Sequence, residues 1–307
     1  YVQSFINGTD WADDVAKIEN MSKVTKQDVI DWANRYLTEN SYAIVYKRQG
    51  EDKTVQKVSA PKITPIKSNR DAQSTFLAEI MATEVEPIEP VFVDYEKDMD
   101  TFTAEGLEVI YAKNILNDIT NVSYLYDTGT ESDPALNLAF NYLSYLGTPT
   151  MSAEEIAAKM YQLACSFSLR AGNSGTNIKV EGLSENIPQA MDIVEDLIYN
   201  AVPDENILTN LKADMLKSRA DAKLNQGSCF NALQRYVFLG PDYIKKITLS
   251  NEGILALTSE ELLGKIRDLM GYSHEVVYYG PDSQSQVADL IKEHHKIPAE
   301  LKPLELS

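Results

Sequence analysis

The three histidines are the residues best suited to bind a metal ion or to transfer protons, but their spacing favours neither role. His274 begins a segment that alternates like a strand, and we expect it at the surface or at a sheet edge. His294 and His295 follow Glu293 at the end of a predicted final helix, where a cation interacts favourably with the helix C-terminus. No two histidines are four residues apart with an acid between them, so we expect at most accidental metal binding.

Asp127 is the second candidate, because it begins the tetrapeptide Asp-Thr-Gly-Thr after Leu125 and Tyr126. That pattern is typical of aspartic peptidases, in which two aspartates share a proton. The sequence has no second copy, and its helical surroundings differ from an all-β peptidase. We interpret the segment as a strand-to-turn junction. An independent hydrolase that uses Asp127 is an alternative, which an acid-pH activity lost in Asp127→Asn would support.

Composition excludes several other classes. The formal net charge of −18 repels phosphate backbones, so nucleic acid is not expected as a partner. No apolar run approaches the roughly 20 residues of a membrane-spanning helix, so no membrane span is predicted. The two cysteines, Cys165 and Cys229, are too few and too far apart for a disulfide framework or a thiolate zinc site.

An internal repeat relates the segments 24–46 and 257–279, which lie 233 residues apart. In each copy a threonine N-cap is followed three positions later by an acid, Asp28 or Glu261, and then by apolar residues at helical spacing. A strand is predicted to follow, at 43–46 and 276–279. Because 233 residues is the length of a whole domain, we interpret the repeat as a domain duplication. Chance similarity of two cap-helix-strand units is the alternative.

The region between the copies reads as an ordered connector. Residues 59–98 contain four of the twelve prolines and a short helical stretch around Phe76 to Met81.

The second copy alternates strand and helix patterns. The predicted elements are a hairpin of Thr101–Thr103 with Leu107–Tyr111, a strand Val122–Tyr126, a helix from Asp133-Pro134 to Leu146, a helix capped by Ser152 and Glu155, paired strands Ser166–Arg170 and Ile178–Val180, and helices Ile187–Tyr199, Glu205–Leu224 and Cys229–Phe238. Hairpins with inserted helices predict an α+β class, with a mixed or antiparallel sheet and packed helices.

This order of elements, with Asp127 to Glu131 after a strand and Gly147-Thr148 after an apolar helix, resembles one domain of the insulinase/pitrilysin (inverzincin) metallopeptidases. The segment Leu257–Gly280 with the following helix is similar to that domain's ending. Glu86–Phe92 resembles the connector between the two halves of long family members. The resemblance covers nearly the whole chain and implies a fold like that of the mitochondrial processing peptidase.

The catalytic signature of that family is absent. Active domains carry His-x-x-Glu-His on the helix before the Gly-Thr pair, where two histidines bind zinc and the glutamate acts as base. Counting back from Gly147, the matching positions are Leu138, Asn141 and Tyr142, none of which can do this work. The resemblance therefore predicts no catalytic, cofactor-binding or metal-binding residue in this chain, and zinc is expected in a catalytic domain elsewhere.

Further polar and aromatic residues are interpreted as structural. Arg235-Tyr236 matches an Arg and a Tyr that bind substrate in the family's last domain, but its place in the third domain favours a structural role. Tyr142, Tyr145 and Tyr161 lie at helical spacing among apolar residues and are predicted core residues.

By resemblance, residues 1–58 are the C-terminal tail of a preceding homologous domain, 59–98 the connector between halves, and 99–307 a complete inactive peptidase-like domain. The expected function is that of a non-catalytic segment of a zinc metalloendopeptidase, which contributes to the chamber wall and binds peptide substrate. Its partners would be peptide substrate and the other domains or a homologous subunit. A binding or scaffold subunit with no active half is the alternative. The family favours a bacterial periplasm or envelope slightly over the cytoplasm.

Overall fold

The computed structural model describes residues 1–47, 50, 54, 58–65 and 72–303, and the chain divides into two compact units, Tyr1–Glu86 and Pro87–Ser307.

The first unit is helical in its described residues. Its helices are α1 (Val2–Asn7), α2 (Trp11–Val15), α3 (Lys17–Ser22), α4 (Lys26–Tyr36) and α5 (Thr75–Met81). The predicted helix around Phe76 is thus confirmed as α5. The predicted strand at 43–46 is wrong, because these residues have no regular structure. A strand needs a neighbouring backbone to hydrogen-bond, and among the described residues of this unit no strand offers one.

The second unit is built on one six-stranded mixed sheet. The strands are β1 (Asp100–Ala104), β2 (Leu107–Lys113), β3 (Ile119–Tyr126), β4 (Cys165–Ala171), β5 (Thr176–Leu183) and β6 (Glu275–Gly280). Their order is β1-β2-β6-β3-β5-β4, in which β2 and β6 are parallel and the other neighbours antiparallel. The α+β class with a mixed sheet is therefore confirmed.

Helices pack against one face of this sheet. The helices of the unit are α6 (Tyr95–Asp98), α7 (Leu136–Leu143), α8 (Ala153–Gln162), α9 (Ile187–Asn200), α10 (Glu205–Ala222), α11 (Gln226–Leu239), α12 (Pro241–Ile247), α13 (Asn251–Ala256), α14 (Ser259–Leu269) and α15 (Gln284–His294), with a 3₁₀ turn at Ser184–Asn186. Alternate strand residues such as Val109, Tyr124 and Ile178 join α7, α9, α14 and α15 in one core. None of the helices among the described residues combines the length and apolar character that a bilayer crossing requires.

Local sequence signals explain several element boundaries. Glu105 and Gly106 connect β1 to β2 with φ of 48° and 84°, which matches the positive φ values of a type I′ hairpin turn. Capping boxes form at Ser152 with Glu155 and at both threonine caps of the repeat. The helix predicted from Asp133 to Leu146 is shorter, since the N–H groups of Leu136, Tyr145 and Leu146 donate to carbonyls three residues back, in turns that flank the helix.

The two helices predicted by the repeat are confirmed, and their bounds match. α4 and α14 each have eleven residues and begin and end at positions 233 apart. The strand half differs, since 276–279 lie in β6 between β2 and β3.

Gly182 gives a test of how closely β5 and β4 approach. It has φ of 154°, and a Cβ there would lie 2.5 Å from the carbonyl oxygen of Ala164. We expect Gly182→Ala to lower the free energy of unfolding by about 2–4 kcal/mol, from backbone strain and overpacking. Gly264 in α14 has open space around it, so Gly264→Ala should raise stability by about 0.5–1 kcal/mol. Urea denaturation of both variants measures the two changes in the free energy of unfolding. Equal changes would contradict the close approach of β5 to β4 at Gly182.

Candidate functional site

α7 is the helix on which the resemblance places a metal site, and it uses the matching positions for packing. Leu138 and Tyr142 are 1% and 0% exposed, whereas Asn141 is exposed. The Tyr142 hydroxyl accepts a hydrogen bond of 2.8 Å from the Asp204 backbone N–H. It also lies 2.8 Å from Ser259 Oγ and 3.1 Å from the Asp204 carbonyl oxygen, to one of which it donates. These contacts fix α7 to the N-terminal ends of α10 and α14.

No three His, Cys, Asp or Glu side chains are grouped to hold a metal ion within the ranges that the structure describes.

A groove of about 580 Å³ lies between α7 and β4. It is lined by Asn137, Phe140, Asn141 and Ser144 of α7 and by Phe167, Ser168, Leu169 and Arg170 of β4. Asn137 and Asn141 are four residues apart, so both amides lie on the exposed side of α7. The groove therefore combines apolar side chains with amide and hydroxyl groups.

In the part of the chain that the structure describes, the groove runs along a free sheet edge, because β4 pairs with β5 and ends the strand order. The Leu183 backbone N–H donates to the Ala164 carbonyl, and the Gly172 N–H donates to the Gly175 carbonyl, at the two ends of the β4–β5 ladder. Even-numbered residues of β4 therefore hydrogen-bond to β5, and the N–H and C=O groups of Phe167 and Leu169 point to the free edge. The sequence predicted this strand pair but contains no signal for which strand lies at the edge.

The Asp-Thr-Gly-Thr segment is a strand-to-turn junction, as interpreted from the sequence. Asp127 is exposed directly after β3. The Thr128 carbonyl accepts a hydrogen bond of 2.7 Å from Thr176 Oγ1, and the Thr130 N–H donates to the Gly172 carbonyl. A Cβ at Gly129 would lie 2.3 Å from that same carbonyl oxygen, so the turn requires glycine for close packing.

A buried cluster of His274, His295 and Glu195 was not predicted. The expectation that His274 lies at the surface or at a sheet edge is wrong, since it is 6% exposed and directly precedes β6, an inner strand; His295 is 5% exposed. Their Nε2 atoms are 2.8 Å apart, and His295 Nδ1 lies 2.6 Å from Glu195 Oε1. His274 Nδ1 lies 2.8 Å from the Tyr272 carbonyl oxygen. We call these three residues the His–Glu cluster.

The sequence carries a signal for this cluster. His274 has the same parity as Val276 and Tyr278, which face the core from β6, so strand alternation places it inward. Glu195 lies four residues after Met191 and three before Ile198, on the apolar side of α9. A carboxylate on such a face needs a partner, and a histidine is a suitable one.

Aromatic rings enclose the cluster and affect its ionisation. The Tyr124 ring stacks on His295 at 4.0 Å and the Tyr126 ring on His274 at 4.5 Å. Burial lowers the pKa of His274 to about 4, and the adjacent His295 contributes in the same direction. Burial also raises the pKa of Tyr124 well above its usual value.

The remaining candidates divide between core and surface. Tyr142 is in the core as predicted, but Tyr145 and Tyr161 are 54% and 86% exposed, so the prediction that they are core residues is wrong. Arg235 and Tyr236 are exposed on α11.

The Tyr142 contacts lead to a stability prediction. Tyr142→Phe should lower the free energy of unfolding by about 1–3 kcal/mol, because the partly buried backbone N–H of Asp204 loses its acceptor. Tyr145→Phe, in the turn two residues after α7, is the matched control and should change stability by less than about 0.5 kcal/mol. Denaturant titrations of both variants would refute the assignment if the two losses were equal.

Solved structures of peptidases resemble this chain. No protein-family model and no curated protein matches its sequence. The periplasmic protease PqqL from Escherichia coli aligns with a TM-score of 0.58 and 15% identity, over 93% of this chain and 30% of PqqL. The first half of PqqL aligns with a TM-score of 0.55 and 14% identity, over 69% of this chain and 48% of that one.

A second kind of neighbour is itself non-catalytic. A peptidase M16 inactive domain from Pseudomonas fluorescens aligns with a TM-score of 0.54 and 15% identity, over 67% of this chain and 53% of that one. This chain thus spans less than a third of PqqL and about half of the inactive-domain chain. In fold, the chain is similar to these peptidases and to this peptidase M16 inactive domain, which is the kind of fold that the sequence resembles.

Proposed function

We propose that this chain is the non-catalytic segment of a zinc metalloendopeptidase, in which the second unit forms part of the chamber wall and binds peptide substrate. The observation that carries the proposal is α7, whose Leu138 and Tyr142 lie in the core where an active domain presents metal ligands. A helix that uses these positions for packing cannot also present them to a metal ion. Zinc and catalysis then belong to another domain.

The repeat supports the proposed division into domains. Val29, Ile30 and Leu37 are 57%, 40% and 73% exposed, whereas the matching Leu262, Leu263 and Met270 are 0%, 2% and 1% exposed. The apolar face that α14 buries is thus uncovered on α4. We assign residues 1–58 to the tail of a preceding homologous domain, whose sheet and helices would cover this face, 59–98 to the connector, and 99–307 to the inactive domain.

The β4 edge supports peptide binding. An extended peptide can add to a free edge as another strand, with main-chain hydrogen bonds for affinity and alternate side chains in adjoining pockets. Phe167 and Leu169 offer outward N–H and C=O groups, and the groove beside α7 can accept every second side chain of the peptide. Such binding reads backbone rather than sequence, which suits a peptidase that accepts unfolded segments.

The compartment follows from the same reasoning. PqqL is described as periplasmic, and we extend that location to this chain as part of the proposal. A bacterial envelope is therefore the expected site of action.

The catalytic part of the proposal has a direct test. We expect the purified chain to hold substoichiometric zinc by metal analysis and to cleave no unfolded casein, because its α7 lacks ligands and base. The coding sequence upstream of Tyr1 should encode His-x-x-Glu-His, and adding that polypeptide should produce zinc-dependent cleavage. Absence of the signature from the whole protein would favour a scaffold subunit instead.

The binding part is tested at Leu169, using anisotropy of fluorescein-labelled unfolded casein. Leu169→Pro removes one outward N–H and leaves the β4–β5 hydrogen bonds in place. Leu169→Ala is the matched control, since it removes the side chain but keeps the N–H. We expect Leu169→Pro to bind about tenfold more weakly than Leu169→Ala, as for loss of one hydrogen bond. Equal affinities would refute strand addition at this edge.

A further inference from the structure

Three consecutive residues at the end of α15 lie along one face of α9. His294 Nδ1 is 2.8 Å from Asp192 Oδ1, and His295 Nδ1 is 2.6 Å from Glu195 Oε1. The Lys296 carbonyl accepts a hydrogen bond of 3.2 Å from the Tyr199 hydroxyl. Of these contacts, the one through His295 is buried, with its two side chains 1% and 3% exposed.

The segment after α15 then returns to residues 271–273, just before His274 and β6. The Lys302 N–H donates to the Gly271 carbonyl, and the Ser273 N–H donates to the Lys302 carbonyl. Residues 295–302 are therefore fixed at one end by the His–Glu cluster and at the other by a short backbone bridge. The first of these two attachments depends on the hydrogen bonds within the cluster.

The geometry of the cluster specifies its number of protons. The Tyr272 carbonyl can only accept, so His274 Nδ1 carries a proton. One proton must lie between the two Nε2 atoms, and one between His295 Nδ1 and Glu195 Oε1. Three hydrogen bonds thus require three protons, and every such arrangement has no net charge.

Any number of protons other than three destabilises the cluster. A fourth proton gives the buried cluster a net positive charge. It also either places two N–H groups opposite each other or puts a proton on Glu195 Oε2, a buried atom with no hydrogen-bond partner among the described residues. Loss of the third proton leaves a carboxylate oxygen facing a nitrogen lone pair. The groups that face the cluster do not relieve either charge, since they are the phenols of Tyr124 and Tyr126 from β3 and of Tyr199 from α9.

Charged groups nearby belong to the surface. Asp192 pairs with His294, Glu293 lies 3.9 Å from His294 Nε2, and Lys296 lies over the Tyr199 ring at 5.2 Å. Glu275, next to His274, is exposed. Solvent screens these groups, so the proton count of the cluster is set by its own three members.

We infer that the His–Glu cluster is a proton-operated latch, which holds the segment 284–302 against α9 and β3 near neutral pH and releases it on acidification. An unfolded histidine titrates near pH 6.5. Because the pKa of His274 is lowered to about 4 in the folded chain, its contribution to stability is complete above about pH 6.5 and is lost as the pH falls towards 4. The inference does not depend on the proposed peptidase function.

Native-state hydrogen exchange of the full chain tests release directly. After correction for intrinsic exchange rates, we expect the amides of α15 to lose protection between about pH 6.5 and pH 5, while those of β3 and β5 retain it. Simultaneous loss in all elements, or constant protection in α15, would overturn the latch. The three histidines also give a simple NMR spectrum, in which His274 should stay neutral with its proton on Nδ1 for as long as the segment is held.

Glu195→Gln tests whether the folded cluster holds a third proton. The amide can donate to His295 Nδ1, so the folded variant keeps three hydrogen bonds with only the two protons of neutral histidines. Above about pH 7, unfolding of the natural chain should release the third proton, so its unfolding constant should rise by up to about tenfold for each pH unit. The unfolding constant of Glu195→Gln should not change with pH over this range. His294→Gln, which alters the neighbouring half-buried histidine outside the cluster, is the matched control and should keep the natural slope. Equal slopes in all three proteins would contradict the proton count.

Discussion

The packing of α7 against the sheet and α14 is the interaction on which the rest of the second unit depends. Leu138, Ala139 and Leu143 are almost fully buried, and the Tyr142 hydroxyl connects α7 to the starts of two further helices. Each buried aliphatic side chain of this size contributes about 1.5–3 kcal/mol. An imidazole at Leu138 or Tyr142 would lose that contribution and need a partner of its own. The helix therefore uses for packing the positions at which the resemblance would place metal ligands, and only its exposed amides, Asn137 and Asn141, line the groove.

The repeat shows one local pattern in two environments. α4 and α14 have the same length and the same threonine-acid capping box, because these depend on neighbours within one turn. Their apolar faces differ, since α14 meets α7 and α9 whereas the matching residues of α4 are exposed. The strand after each helix differs for the same reason, because only the second copy has β2 and β3 beside it. Caps and helices are thus properties of the segment, and burial and strand formation are properties of its surroundings.

The same distinction explains what could be predicted from the sequence. The β1–β2 hairpin, the capping boxes and the α+β class follow from turn residues, caps and alternation, all of which act over a few residues. The helix predicted to begin at Asp133-Pro134 begins at Leu136 instead, because Asp133 accepts hydrogen bonds from the Ala135 and Leu136 N–H groups in a turn. The exposure of Tyr161 and the position of β4 at the edge depend on contacts that no local pattern encodes. The His–Glu cluster is intermediate, since alternation indicates that His274 and Glu195 point inward but not that they meet.

The β4 edge and the His–Glu cluster satisfy polar groups in opposite ways, and this decides how each can act. Edge N–H and C=O groups of Phe167 and Leu169 face water, which satisfies them until another strand replaces it, so binding there need not disturb the fold. The buried His–Glu cluster has no alternative partner of this kind, and a buried polar group without a partner costs about 1–3 kcal/mol. Between the two lie the β3–β5 and β4–β5 ladders, whose backbone hydrogen bonds carry no titrating group. A change of protonation can therefore move the segment 284–302 while the edge keeps its geometry, which makes acid release and peptide binding separable properties of one sheet.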